Sequence, residues 1–265
     1  MQVEQQNIGS AETKTADTLS TLLGAFYLPS IKTYATEINY YPGQNCLSRW
    51  AEKGRFYGDL YAYENGKVVF QYAIKSCDES GSLSMNSDEI YKVLGHDFEG
   101  LGILELRHPV NIPIDLYISH AHKKTGVYVA IPPAPFMGDQ IYTTSHALQL
   151  ENSLLWPGIV ETAILESCLR VMNPFDVPFQ YQLLLMGQDG RRYQTDIKKL
   201  KSHFATLHTI ADLFPEQIAE IRADPNQTFS LCISAQYKIC AQFVIREKTT
   251  GIFTNVDHLH PYCMF

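Results

Sequence analysis

The sequence of 265 residues has no run of 18 apolar residues, no cluster of Lys and Arg, and no C-x-x-C pair. A membrane-crossing helix needs about 20 mainly apolar residues, so the first absence predicts a chain without a membrane span. Nucleic-acid binders need basic side chains to neutralise phosphates. Because the net charge is −7, we expect neither a nucleic-acid nor a membrane partner.

The amino-terminal stretch, residues 1–14, lacks the basic start and the apolar segment of a signal peptide. We predict a disordered lead-in there and a cytoplasmic location. The six cysteines lie mostly in apolar runs, as is typical of reduced, buried thiols in that compartment. Cys46 differs, because it follows a Pro-Gly turn and precedes a segment that could start a helix. A helix N-terminus makes a thiol more acidic, so a nucleophilic Cys46 is an alternative.

Aromatic residues are abundant, with 16 Tyr and 13 Phe, and these residues favour the half-buried surfaces of sheets. Asn65 and Gly66 separate two strand-like runs, residues 56–63 and 67–74. Both turn residues tolerate positive φ, so the pattern predicts a type I′ hairpin. A second hairpin is predicted around residues 187–190.

One pattern occurs twice, because residues 66–75 line up with residues 237–246. Each copy follows a strand-like run, so residues 228–248 are predicted to form a second copy of the hairpin. A helix-like stretch lies upstream of each copy, at residues 16–27 and 157–172. The pattern indicates a duplicated unit of one helix followed by antiparallel strands. Two unrelated amphipathic hairpins would give the same similarity.

The predicted helix at residues 157–172 is apolar around most of its circumference, which is typical of a buried helix. A sheet that curls around such a helix buries it well, which is the hot-dog arrangement. The predicted fold is therefore α+β, a double hot dog with halves at residues 15–110 and 111–265 in one compact domain. Residues 197–223 are charged and are predicted to be helical. An exposed sheet edge would allow two chains to pair as a homodimer.

The segment Leu154–Ala163, which contains Pro157 and Gly158, resembles the Pro-Gly-to-helix segment of hot-dog dehydratases that act on hydroxyacyl thioesters. The stretch from Val160 to Gln180 is also similar to γ-butyrolactone signal synthases, another hot-dog family that uses thioesters. The resemblance implies an acyl thioester, carried on acyl carrier protein or coenzyme A, as the bound substrate. It implies a dehydratase-like lyase of polyketide or fatty-acid-like metabolism that needs no cofactor.

In the dehydratases a His precedes the Pro-Gly pair and an acidic residue follows it. His146 and Glu161 hold these places, and His122 and Glu166 are the reserve candidates. A His and a carboxyl group facing each other across an apolar tunnel can remove an α-proton and protonate a leaving hydroxyl. His146 stands 11 residues before Pro157, a longer gap than is usual in that family. As alternatives, Glu161 complements a helix dipole and His146 is a plain turn residue.

Two His-x-His pairs form a third set of candidates, His120 with His122 and His258 with His260. In a strand, residues two apart point to the same side, so each pair could bind a metal ion. This pattern favours a metal-dependent β-barrel enzyme. A non-catalytic binding or interaction protein on the same fold is the remaining class, and the sequence leaves all three open.

Overall fold

The structure is a computed structural model that describes residues 19–42, 57–74, 86–109, 114–131, 134–136, 152–156, 158–224, 226–235, 240–258 and 260–261. Antiparallel strands dominate these residues, and the helices among them are short. The elements before residue 140 are β1 (Leu19–Leu28), β2 (Tyr34–Pro42), β3 (Tyr57–Glu64), β4 (Lys67–Ile74), α1 (Asp88–Leu94), β5 (Gly100–Pro109), β6 (Ile114–His122), β7 (Tyr128–Ile131) and β8 (Ala134–Phe136).

The elements after residue 151 are also mainly antiparallel strands. They are β9 (Asn152–Trp156), β10 (Leu165–Asn173), β11 (Phe179–Gly187), β12 (Arg192–Gln194), β13 (Lys198–Leu200), β14 (Phe204–Thr209), α2 (Ile210–Leu213), α3 (Pro215–Ala223), β15 (Phe229–Ala235), β16 (Cys240–Glu247), β17 (Phe253–His258) and β18 (His260–Pro261).

The strands form four sheets, two in each half of the chain. Sheet A has the order β4-β3-β5-β1-β8, and sheet B has the order β2-β6-β7. Sheet C has the order β12-β11-β15-β9-β18, with β13 also on β11, and sheet D has the order β14-β10-β16-β17. Among the described residues, strands β1 to β8 pair only with one another, as do strands β9 to β18, and these two groups are called the first and the second half.

Each half has its own apolar core. In the first half the core includes Phe26, Leu60 and Ile118, which come from both sheets, together with Ile90 of α1. In the second half, side chains of sheets C and D pack together and helices α2 and α3 close the core; its members include Leu169, Val171, Leu183, Ile210, Ile218, Leu231 and Phe243. Burying apolar side chains between two layers is the ordinary solution for antiparallel sheets.

Sheet D is buried on both faces along its strand β10. In its strand β10, residues Ser167 to Asn173 are all buried. Leu169 and Val171 belong to the core shared with sheet C. Met172 packs instead with Tyr27 of sheet A, so the other face of sheet D lies against the first half. The two halves therefore share a continuous contact along this sheet.

The two predicted upstream helices are wrong. Residues 16–27 overlap strand β1, and residues 157–172 give way to an irregular segment and strand β10. Ala25, Phe26, Tyr27 and Leu28 are all buried, so β1 is covered on both sides, as β10 is. A short strand covered on both sides has a continuous apolar run, which periodicity cannot distinguish from a buried helix.

The sheet-rich, antiparallel part of the predicted fold is confirmed, whereas a double hot dog is not. Its two central helices are the strands just described. The predicted helix at residues 197–223 is also wrong in its first half, where β13 and β14 lie before α2 and α3.

The first predicted hairpin is confirmed and its second copy is not. Strands β3 and β4 pair around Asn65 and Gly66, whose φ angles of 52° and 80° fit a type I′ turn. The hairpin around residues 187–190 is also formed, by β11 and β12. Strands β15 and β16, however, lie in different sheets, because β15 pairs with β11 and β9 while β16 pairs with β10 and β17. The repeated pattern is thus not a repeated hairpin.

Within the described part of the chain, no helix has the length and apolar character needed to cross a membrane.

Gly102 lies opposite Phe26 in the β1–β5 ladder, and a Cβ at Gly102 would stand 2.4 Å from the Phe26 ring. We predict that Gly102→Ala lowers the free energy of unfolding by about 1–3 kcal/mol, because the buried ring must move in a packed core. Urea unfolding of the full chain measures this. Gly158→Ala is the matched control, since a Cβ there meets nothing within 4 Å, and its midpoint should not change. Equal midpoints for both variants would contradict the prediction.

Candidate functional site

Glu161 is buried and held by basic side chains. Its Oε1 accepts hydrogen bonds from Arg222, at 3.2 Å from Nε and 2.7 Å from Nη2, and from Lys248 Nζ at 2.5 Å. The Lys248 ammonium also donates to the Thr162 carbonyl, which ties the segment before β10 to the end of β16. A carboxylate with these partners stabilises a loop, and it does not lie at a helix N-terminus.

The reserve candidates also have structural partners. Glu166 accepts a hydrogen bond from Arg246 Nε at 2.6 Å, and these two residues stand opposite each other in the β10–β16 ladder. His122 ends strand β6, and its Nδ1 lies 2.9 Å from the hydroxyl of Thr125 in the following turn. The structure therefore does not bring His122 together with Glu161 or Glu166 by hydrogen bonding. His146 and Cys46 lie outside the described residues.

The His-x-His pairs are not assembled into a metal site in the part of the chain that is described. No group of three or more His, Cys, Asp or Glu residues converges there. His120 and His122 do lie on one strand, as predicted, and His120 Nδ1 is 2.9 Å from the Thr36 hydroxyl. The side chains of His258 and His260 lie outside the description.

A different cluster lies where sheets A, B and D meet. We call it the seam, and it consists of Tyr27, Tyr34, His120, Arg170, Gln242 and Phe253. Tyr27 comes from sheet A, Tyr34 and His120 come from sheet B, and the other members come from sheet D. All six are buried, and both halves of the chain contribute to the cluster. The seam is therefore a polar core between two apolar ones.

Arg170 is the centre of the seam and is completely buried. Its guanidinium carbon lies 4.3 Å from the centre of the Tyr27 ring and 4.3 Å from the centre of the Phe253 ring. Such cation–π contacts are worth up to about 2 kcal/mol when they are desolvated. The Phe253 ring also stacks on Tyr34 with a centroid distance of 4.7 Å. One layer of flat groups thus connects the two halves.

The polar groups of the seam have unused hydrogen-bonding capacity. Arg170 Nη1 is 3.5 Å from Gln242 Oε1, while Arg170 Nε, Arg170 Nη2 and Gln242 Nε2 have no hydrogen-bond partner in the described structure. His120 Nε2 is likewise buried without a partner there. Buried polar groups are nearly always paired, so several unpaired atoms in one cluster mark the seam as a candidate binding site.

Burial controls the protonation of the seam. It lowers the pKa of Arg170 to about 10, so the guanidinium remains charged at neutral pH. Burial, and then the charge of Arg170, hold the pKa of His120 well below 6.5, so this imidazole is neutral. Burial and the nearby Glu99 carboxylate raise the pKa of Tyr27, whose hydroxyl donates to Glu99. The seam thus contains one permanent positive charge among neutral groups.

Sequence reasoning missed Arg170 and Gln242, although a signal is present. Each is a lone polar residue within an apolar run, in Cys-Leu-Arg-Val-Met and in Cys-Ala-Gln-Phe-Val. A long polar side chain at such a position is rarely buried without a partner or a function.

Comparison of the chain with protein-family models, with curated proteins and with solved structures gives no match.

We predict that Glu161→Gln lowers the free energy of unfolding by about 1–3 kcal/mol, because a neutral amide replaces a buried charged acceptor. Denaturant unfolding of the full chain measures the loss. Glu89→Gln is the control, because the Glu89–Lys92 pair lies on the exposed face of α1 and its loss should leave the midpoint unchanged. A Glu161→Gln midpoint equal to that of the native chain would show that this ion pair does not hold the loop.

The lowered pKa of His120 predicts a pH dependence of stability. Below about pH 6.5 the unfolded chain binds a proton that the folded chain does not bind. The free energy of unfolding therefore decreases as the pH is lowered, by up to about 1.4 kcal/mol per pH unit for one such group. His120→Gln should make this fall shallower without abolishing it, because burial also lowers the pKa values of His203 and His208.

Urea midpoints between about pH 5 and pH 7.5 measure the slope. An unchanged slope in His120→Gln would mean that His120 titrates equally in the folded and unfolded chains.

Proposed function

We propose that this chain is a non-catalytic binding protein and that its ligand site is the seam between its two halves. The observation that carries the proposal is the buried Arg170 guanidinium, held between Tyr27 and Phe253 with its Nε and Nη2 atoms unpaired. Rigid flat walls around a few unsatisfied polar groups are what small-molecule sites have in common.

The position of the seam supports this function. Its walls come from three sheets and from both halves of the chain, and ligand sites occur preferentially where structural units meet. The aromatic side chains supply contact area at little cost in conformational entropy, since their rings are already packed against neighbours.

The two carboxylates expected to act in catalysis have basic partners. Oε1 of Glu161 accepts hydrogen bonds from Arg222 and Lys248, and Oε1 of Glu166 accepts one from Arg246. A dehydratase acid must instead face its base across a substrate tunnel. The acyl-thioester function that the family resemblance implied stays a prediction, and the experiment below tests it directly.

We further propose two β-sandwich halves in place of a double hot dog, because β1 and β10 hold the places of the central helices. A cytoplasmic location is consistent with the buried thiol of Cys168.

We predict that a ligand of the seam stabilises the chain and that the Phe253→Leu substitution weakens this effect. The test is thermal unfolding of the full chain with small carboxylic acids, acyl-pantetheine thioesters, zinc and iron, with native mass spectrometry of each mixture. At a concentration 100 times its Kd, a ligand should add about 2.7 kcal/mol to the free energy of unfolding.

Phe229→Leu is the matched control, because Phe229 is equally buried but belongs to the core of the second half. It should lower stability and leave the ligand response unchanged. Loss of one water from a 3-hydroxyacyl-pantetheine would contradict the proposal in favour of a dehydratase. Stoichiometric metal without any organic ligand would contradict it in favour of a metal enzyme.

A further inference from the structure

We propose that the free edge of the Arg170 guanidinium binds one carboxylate group of a small acidic molecule inside the seam; this ligand class rests on the proposed binding function. The inference starts from four unpaired buried atoms, which are Nε and Nη2 of Arg170, Nε2 of Gln242 and Nε2 of His120. Three of these four are obligatory hydrogen-bond donors.

The two free nitrogens of Arg170 form a fork. In a guanidinium group the N–H bonds of Nε and Nη2 point in the same direction, and this edge matches the two oxygens of a carboxylate. Arg222 shows the preference within this chain, because it presents the same two atoms to the Glu161 carboxylate, at 3.2 Å and 2.7 Å. In Arg170 the edge is free and completely buried.

Gln242 is placed to add a third donor. It stands opposite Arg170 in the β10–β16 ladder, and its Oε1 faces Arg170 Nη1. Its amide nitrogen is therefore left without a partner in the described structure. His120 adds a fourth donor in the tautomer in which the Thr36 hydroxyl donates to Nδ1. A carboxylate has about four lone-pair sites, so one such group has the capacity to accept hydrogen bonds from all four donors.

The charge of the seam favours an anion as its ligand. Arg170 remains protonated at neutral pH, and a buried charge is stable only when it is paired. The Glu99 carboxylate lies beyond Tyr27, where it accepts the tyrosine hydroxyl, and no hydrogen bond joins it to Arg170 among the described contacts. A bound monoanion would neutralise the guanidinium directly.

The shape of the seam favours a flat anion. The Arg170 guanidinium carbon lies 4.3 Å from the centre of the Tyr27 ring and 4.3 Å from the centre of the Phe253 ring. A carboxylate bound to the fork is coplanar with the guanidinium and presents a flat group to the same aromatic surroundings. Phosphate carries more charge at neutral pH than one guanidinium neutralises, so a monocarboxylate is the better match for this buried site.

The test uses formate and acetate as probes on the full chain, with chloride and inorganic phosphate at matched ionic strength as comparison anions. Isothermal titration calorimetry and thermal unfolding measure binding. We expect saturable binding of formate or acetate, a rise in Tm, and no comparable effect of chloride or phosphate. Arg170→Met should weaken binding by at least about tenfold, because the fork is lost while the hydrophobic stem remains.

Gln242→Leu keeps the charge of Arg170 and serves as the second test variant if Arg170→Met does not fold. It should raise the Kd for formate and leave the fold intact. Arg222→Met is the control for loss of an arginine elsewhere, and it should bind formate with the native Kd. Equal Kd values in the native chain, Arg170→Met and Gln242→Leu would identify an adventitious ion only and overturn the inference.

The structure of crystals grown in formate provides a second, independent test of the carboxylate site. Flat density on Nε and Nη2 of Arg170 would support the carboxylate site, whereas water alone at that edge would overturn it. If Phe253→Leu weakens the binding of some other ligand while formate and acetate do not bind, the carboxylate inference fails and the proposed binding function stands. If neither they nor any member of the broader panel binds, both fail.

Discussion

The burial of strand β10 on both faces is the constraint from which the seam follows. One face of β10 carries Leu169 and Val171 into the core of the second half, and the other face carries Cys168, Arg170 and Met172 toward the first half. A strand covered on both sides has no route to water for a polar side chain. Any charge on the second face must therefore be satisfied inside the protein, and the rings and the Gln242 amide around Arg170 meet part of that requirement.

The energetics of Arg170 show why its surroundings matter. Removing one ion from water costs several kcal/mol even after relaxation, whereas a desolvated cation–π contact returns up to about 2 kcal/mol. The Tyr27 and Phe253 rings therefore offset only part of the cost. The Gln242 carbonyl oxygen, at 3.5 Å, adds little. The rest of this desolvation cost is offset by a negative charge, either the Glu99 carboxylate beyond Tyr27 or an anion bound at the free edge of the guanidinium.

The sequence predicted the hairpin turn at Asn65 and Gly66, but it did not reveal which strands are buried on both faces. Asn65 and Gly66 specify their hairpin because few residues tolerate positive φ, and the structure has the predicted turn. Strands β1 and β10 were mistaken for helices because a strand covered on both faces loses its alternation. Pairing across sheets was also hidden, since a ten-residue similarity does not reveal which strands β15 and β16 will join. Arg170 was not predicted as a site residue because it lies within the apolar run that was interpreted as a buried helix.

The surroundings of the Arg170 guanidinium depend on the relative position of the two halves. Tyr27 and Tyr34 belong to the first half, Phe253 belongs to the second, and the guanidinium lies between Tyr27 and Phe253. A shift of one half against the other would change the spacing of these rings, and a lysine could not replace the arginine, because an ammonium group is neither flat nor forked. A ligand that requires the present spacing binds the assembled seam and not a separated one. Its binding energy therefore adds to the contact between the halves, which is how a binding site at a junction becomes part of the stability of the fold.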